Sequence, residues 1–113
     1  MTKRIVAVFT GNRAEYGLQL PILRAIDAHP SLDYRLIVSG AHLDENFGRT
    51  LEEIEEDGYK VHAEVKIEIK EDTLYSTAQA IGSGILSMSE ALNELRPDLL
   101  TVYADRFEGF AAV

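Results

Sequence analysis

The alternation of short apolar runs with longer amphipathic stretches constrains this chain more than any other feature. Residues 4–10 (RIVAVFT) are β-branched or apolar almost without a break, the pattern of a strand buried on both faces of a parallel sheet. A turn over residues 11–16 leads into a helix with Leu20, Leu23 and Ile26 on one face, in which Pro21 is tolerated if it falls in the first turn. Residues 33–39 (DYRLIVS) read as a second strand ending before Gly40. A loop over residues 41–46 then precedes a helix through Phe47, Leu51 and Ile54, stopped by Gly58 at its C′ position. Residues 60–67 alternate apolar with polar side chains, as a strand nearer a sheet edge does. In residues 74–95, Leu74, Ala78, Ile81, Ile85, Met88, Leu92 and Leu95 recur every three or four positions, which predicts a long amphipathic helix closed by Arg96 and Pro97. Residues 98–103 (DLLTVY) form a fourth buried strand, and a further helix starts at Asp105.

Strand and helix alternating in this way define a doubly wound parallel α/β sheet, Rossmann-like, with helices on both faces. Right-handed crossovers predict the strand order 3-2-1-4. At 113 residues, the chain suffices for one small domain. It ends inside an apolar stretch, so a longer protein is expected, of which residues 1–113 are a truncated N-terminal domain.

Composition removes several function classes. Without cysteine there is no disulfide, thiolate metal site or cysteine nucleophile. His29, His42 and His62 are too scattered to suggest a metal site. A net charge of −8 opposes binding to nucleic acid or an anionic membrane, while leaving room for one diphosphate held by well-placed arginines. No apolar run approaches the roughly 18 residues of a membrane span, and the N-terminus lacks the pattern of a signal peptide. A cytoplasmic protein is expected.

Ligands of open α/β sheets bind outside the carboxyl ends of the strands. Three segments fall there: GNRAEYG (11–17), SGAHLDENFG (39–48) and YADRFEG (103–109). The first is neither a dinucleotide fingerprint, since Arg13 stands where the second glycine belongs, nor a P-loop. It offers a permanently charged fork at a helix N-terminus, suited to a diphosphate. Alternatively, Arg13 pairs with Glu15 or lies on the solvated surface. His42 is either a loop residue close to a ligand or a solvated, capping one. Asp44, Glu45 and Asn46 are helix-start residues. Asp105 caps the last helix, aims a carboxylate into the cleft, or does both, since it has two oxygens. Arg106 beside it is a candidate anion anchor, and Glu108 reads as a capping-box partner.

Taken together, Asn12-Arg13-Ala14-Glu15-Tyr16-Gly17, Ser39-Gly40-Ala41-His42-Leu43 with Phe47-Gly48, and Arg96-Pro97-Asp98 followed by Asp105-Arg106-Phe107-Glu108 resemble the hydrolysing UDP-N-acetylglucosamine 2-epimerases. The resemblance runs from the first strand to the last residue, in order and spacing. Non-hydrolysing epimerases typically carry G-T-R-P-E, T-G-Q-H and H-G-D-T at these places, where this chain has Ala14, SGAH and Tyr-Ala-Asp-Arg. One departure from the hydrolysing pattern is Ala104, where glycine is common.

The resemblance implies the N-terminal domain of a two-domain, glycosyltransferase-B-like enzyme with its UDP-sugar substrate in the interdomain cleft. It implies anti elimination of UDP across C1–C2 to a glycal, then hydration with inversion at C2, releasing UDP and N-acetylmannosamine. Neither a cofactor nor a metal is required. By the same resemblance Asp105 and His42 belong to the catalytic group, and Arg13, Arg106 and the backbone at Gly17 contact the UDP portion. A homo-oligomer is expected of the full-length protein, and an inactive fragment on its own. Two other readings stand: a non-hydrolysing epimerase or related nucleotide-sugar enzyme of the same fold, and a non-catalytic module whose 74–95 helix forms a helix–helix interface.

Overall fold

The computed structural model describes residues 3–11, 13–39, 50–65, 67, 71–103 and 112. In chain order the elements are β1 (Arg4–Thr10), α1 (Arg13–Ala28), β2 (Leu32–Ser39), α2 (Thr50–Glu56), β3 (Val61–Val65), α3 (Leu74–Leu95) and β4 (Leu99–Val102). The strands form one parallel sheet in the order β3-β2-β1-β4, as the crossover rule predicts. β1 lies centrally, with Phe9 opposite Ile37 on one side and Val102 on the other.

Burial explains the unbroken apolar character of β1. Val6 and Val8 face α1 and α2, packing with Leu36, Val38, Tyr16, Leu23, Ile26, Ile54 and Tyr59. Ala7 and Phe9 face α3 on the opposite side, packing with Ile37, Val65, Ala80, Met88 and Ala91. A strand covered on both faces has no position where a polar side chain reaches water, so period-two alternation disappears.

Helix ends follow local chemistry. α2 closes as anticipated at Gly58, whose φ of +87° is the left-handed conformation that glycine adopts without strain. The N–H of Gly58 donates to the Glu55 carbonyl at 3.0 Å and that of Tyr59 to Ile54 at 3.1 Å, a Schellman pair whose accompanying apolar contact is Tyr59 with Ile54. α3 is capped by Thr73, whose hydroxyl accepts the Ser76 N–H at 3.1 Å. It ends at Arg96 with φ 46°, and Pro97 cannot continue the helix.

Three expectations are corrected. α1 begins at Arg13, within the stretch 11–16 expected to be a turn, so Pro21 is interior rather than in the first turn. Its missing N–H deprives the Gly17 carbonyl of a helical partner, but Gly17 is exposed and water can replace that bond, which keeps the cost low. The buried face of α3 also differs from the predicted stripe. Met88 is in the core and Ile81, Leu92 and Leu95 pack against it, but Leu74 and Ile85 are exposed. Ala80, Gly84 and Ala91 take the inner positions, since small side chains let the helix lie close to the sheet. The expected extension of β3 to residue 67 shortens to Val65, although Ile67 is still buried. The helix expected from Asp105 lies outside the described residues, apart from the helical Ala112.

Candidate functional site

Parallel pairing brings the carboxyl ends of β1, β2 and β4 to one edge of the sheet. Thr10, the last residue of β1, stands opposite Val38, one residue before the end of β2, and Phe9 stands opposite Val102 at the end of β4. The strands therefore end side by side at Thr10, Ser39 and Val102, although these residues are separated by tens of positions in sequence. Because β4 reverses the direction of winding, the gap between β1 and β4 is the topological switch point of the sheet.

Of the predicted site residues, the structure places two. Arg13 is the first residue of α1, at the helix end where unpaired N–H groups and the positive end of the dipole lie. Gly17 is one turn further on and exposed, and among the described residues nothing outside its own helix backbone comes within 4 Å of where a side chain would stand. His42, Asp105 and Arg106 lie outside the described residues, as do Asp44, Glu45, Asn46 and Glu108.

Sequence reasoning missed the floor of this edge. Thr10, Glu15, Gln19 and Ser39 are buried polar or charged side chains, between 0% and 3% exposed, and all lie at the ends of β1 and β2 or in the first two turns of α1. The Gln19 amide donates to the Phe9 carbonyl at 2.7 Å, tying the second turn of α1 to the end of β1. The Ser39 hydroxyl has no hydrogen-bond partner among the described residues. Tyr16 donates to the Asp57 carboxylate at 2.6 Å and so joins α1 to the end of α2. Burial, reinforced by that carboxylate, raises the Tyr16 pKa, so the phenol stays protonated as a donor. One signal for these residues was available: Thr10 and Ser39 are polar residues closing the apolar runs 5–9 and 36–38.

Asp98, part of the motif carrying the resemblance, sits at the opposite end of the sheet. Its carboxylate accepts the Ile5 N–H at 2.8 Å and its own N–H donates to the Ile5 carbonyl at 2.8 Å, pinning the start of β4 to β1. Its role is structural.

The fold and this edge define a doubly wound α/β domain, a class that receives ligands outside the carboxyl ends of its strands. A family model described as UDP-N-acetylglucosamine 2-epimerase matches residues 24–113, and the chain belongs to that family. It is 32% identical over 112 residues to the UDP-N,N'-diacetylbacillosamine 2-epimerase (hydrolyzing) of Legionella pneumophila, covering 99% of this chain and 29% of that protein. It is also 32% identical over 109 residues to the UDP-N-acetylglucosamine 2-epimerase of Neisseria meningitidis serogroup B, covering 96% of this chain and 28% of the relative. The chain thus spans under a third of the length of these relatives. A crystal structure of a UDP-N-acetylglucosamine 2-epimerase superposes with a TM-score of 0.81 at 18% identity, over 98% of this chain and 29% of that one. A second, described as a putative enzyme of the same name from Listeria monocytogenes, gives 0.80 at 22% identity, over 99% and 28%. These two likenesses concern the fold.

Proposed function

We propose that the full-length protein is a hydrolysing 2-epimerase of a UDP-acetamido sugar, with UDP-N-acetylglucosamine as its first candidate substrate. The observation that carries this is the match to a relative named as hydrolyzing, which covers 99% of this chain and so spans all three carboxyl-edge segments. Ala14, the SGAH sequence and Tyr-Ala-Asp-Arg also depart from the non-hydrolysing motifs. In the proposed reaction a base removes the C2 proton and the C1–O bond breaks, with its electron pair leaving on UDP. Water then adds to the glycal with inversion at C2, giving N-acetylmannosamine.

Elimination needs a base at C2 and positive or N–H groups at the leaving diphosphate. Asp105 and His42 are assigned to the reacting sugar. Arg13, at the start of α1, is assigned to the diphosphate together with Arg106, and the exposed backbone at Gly17 lets the ligand come close. The non-hydrolysing reading is kept by the Neisseria relative, whose name carries no such qualifier.

Product analysis separates the readings. Full-length protein incubated with UDP-N-acetylglucosamine is expected to release UDP and free N-acetylmannosamine; UDP-N-acetylmannosamine as the product would overturn the hydrolytic assignment. UDP-N,N'-diacetylbacillosamine in parallel tests the substrate. Asp105→Asn, which keeps shape but removes the ionisable carboxylate, is expected to abolish turnover and largely spare UDP binding. Undiminished turnover would remove Asp105 from the chemistry.

A further inference from the structure

The start of β3 is held on the sheet by side chains as well as by its ladder, which is irregular there. Its pairing with β2 slips by one residue: Leu36 is opposite Val61, but Ile37 is opposite Ala63. His62 is the extra residue, a bulge of a kind seldom found between parallel strands. The Leu36 N–H donates to His62 Nδ1 at 3.1 Å. Two residues earlier, the Lys60 N–H donates to the Tyr34 hydroxyl at 3.0 Å. The imidazole also meets the Tyr34 ring edge-on, with centroids 5.4 Å apart and planes at 85°, and Tyr34 meets Tyr59 in the same way at 5.6 Å.

The hydrogen bond sets the protonation state. Nδ1 accepts only when it carries no proton, so the neutral ring must hold its hydrogen on Nε2. A second proton would turn Nδ1 into a donor facing the Leu36 N–H.

We propose that His62 is a proton-operated latch, whose neutral imidazole holds the start of β3 on β2 and whose protonation releases residues 60–63 from the sheet edge. The surroundings favour the neutral form. Burial is the largest influence lowering the His62 pKa, followed by the Arg35 and Lys60 cations, while Asp33 and the Lys60 backbone act the other way. Asp33 is itself engaged by Arg35 at 2.8 Å. Glu55, Tyr59 and Glu64 line the same cleft as His62, and Tyr34 stands edge-on to both Tyr59 and the imidazole. The segment that would be released adjoins Tyr59, whose N–H closes α2, so opening the latch loosens the end of that helix as well.

The sign follows from linkage. Released His62 has an ordinary value of about 6.5, and latched His62 a lower one. At pH above about 6.5 both forms are neutral and the latch holds fully. As pH falls from there towards the latched value, only the released form takes up a proton, and opening increases on the order of tenfold per pH unit.

Hydrogen-exchange mass spectrometry on the full-length protein reads this directly. Peptides covering residues 32–39 and 59–65 should lose protection between pH 7.5 and 5.5, after correction for the intrinsic exchange rate. His62→Asn places Oδ1 where Nδ1 stands and cannot titrate, so its protection should be independent of pH. Constant protection in the wild type, or an equal slope in His62→Asn, would overturn the latch. Wild-type protein labelled at the imidazole nitrogens provides a test that needs no variant. NMR should show the Nε2–H form at pH 7.5 with a midpoint below 6.5; the Nδ1–H form or an unshifted midpoint would overturn the proposal equally.

Discussion

Replacing Gln19 by leucine isolates the bond that holds the start of α1 against the sheet. Gln19 is 3% exposed, and its Nε2 donates to the Phe9 carbonyl at 2.7 Å. Leucine fills a similar volume, so cavity formation contributes little and the change removes mainly the donor. Phe9 is fully buried at the centre of the sheet, so water cannot supply a replacement. A buried acceptor that loses its donor costs about 1–3 kcal/mol, compared with about 1 kcal/mol for the net worth of an average hydrogen bond. We expect a loss of about 2 kcal/mol. With a urea m-value on the order of 2 kcal/mol/M, the midpoint falls by about 1 M. The assay is urea unfolding of the full-length protein, read by pulsed hydrogen exchange of peptides covering residues 4–28. A loss below about 0.5 kcal/mol, within the range of ordinary surface substitutions, would refute the assignment of Gln19 as the clamp between α1 and β1.

Met88, 2% exposed between α3 and the sheet, should cost about 2–5 kcal/mol when changed to alanine, measured by the same unfolding transition. Asp98→Ala removes the acceptor for the Ile5 N–H at an exposed position, where water competes, so about 1 kcal/mol is expected, with faster exchange of the Ile5 amide as its local signature. Arg13→Ala in the full-length protein should weaken UDP binding in calorimetry more than it alters the fold seen by circular dichroism. The isolated 113 residues should release no measurable N-acetylmannosamine, because a misplacement of about 1 Å already costs roughly a hundredfold and the reaction needs several groups held together.

Period and punctuation in the sequence determined which segments are strands and which are helices. The run at 4–10, Gly58 and the Arg96-Pro97 pair act within a few residues of themselves, so their consequences are legible in the sequence. Strand order was readable too, because the handedness of βαβ crossovers leaves few alternatives. The site was legible only as three segments bound for one edge; the structure establishes that their strands end side by side.

Tertiary structure alone decided the rest. Whether Glu15 and Gln19 lie in solvent or beneath the sheet edge depends on how α1 is turned about its axis, and helical spacing does not set that angle against a partner. Ala80, Gly84 and Ala91 take the inner face of α3 because close approach to the sheet favours small side chains, which a search for large apolar residues passes over. Asp98 meets Ile5 across 93 positions, and His62 becomes a bulge only when a particular register of β2 and β3 is chosen. Propensity acts between neighbours in sequence. Burial, register and long-range hydrogen bonds act between neighbours in space, which this chain acquires only once its sheet has formed.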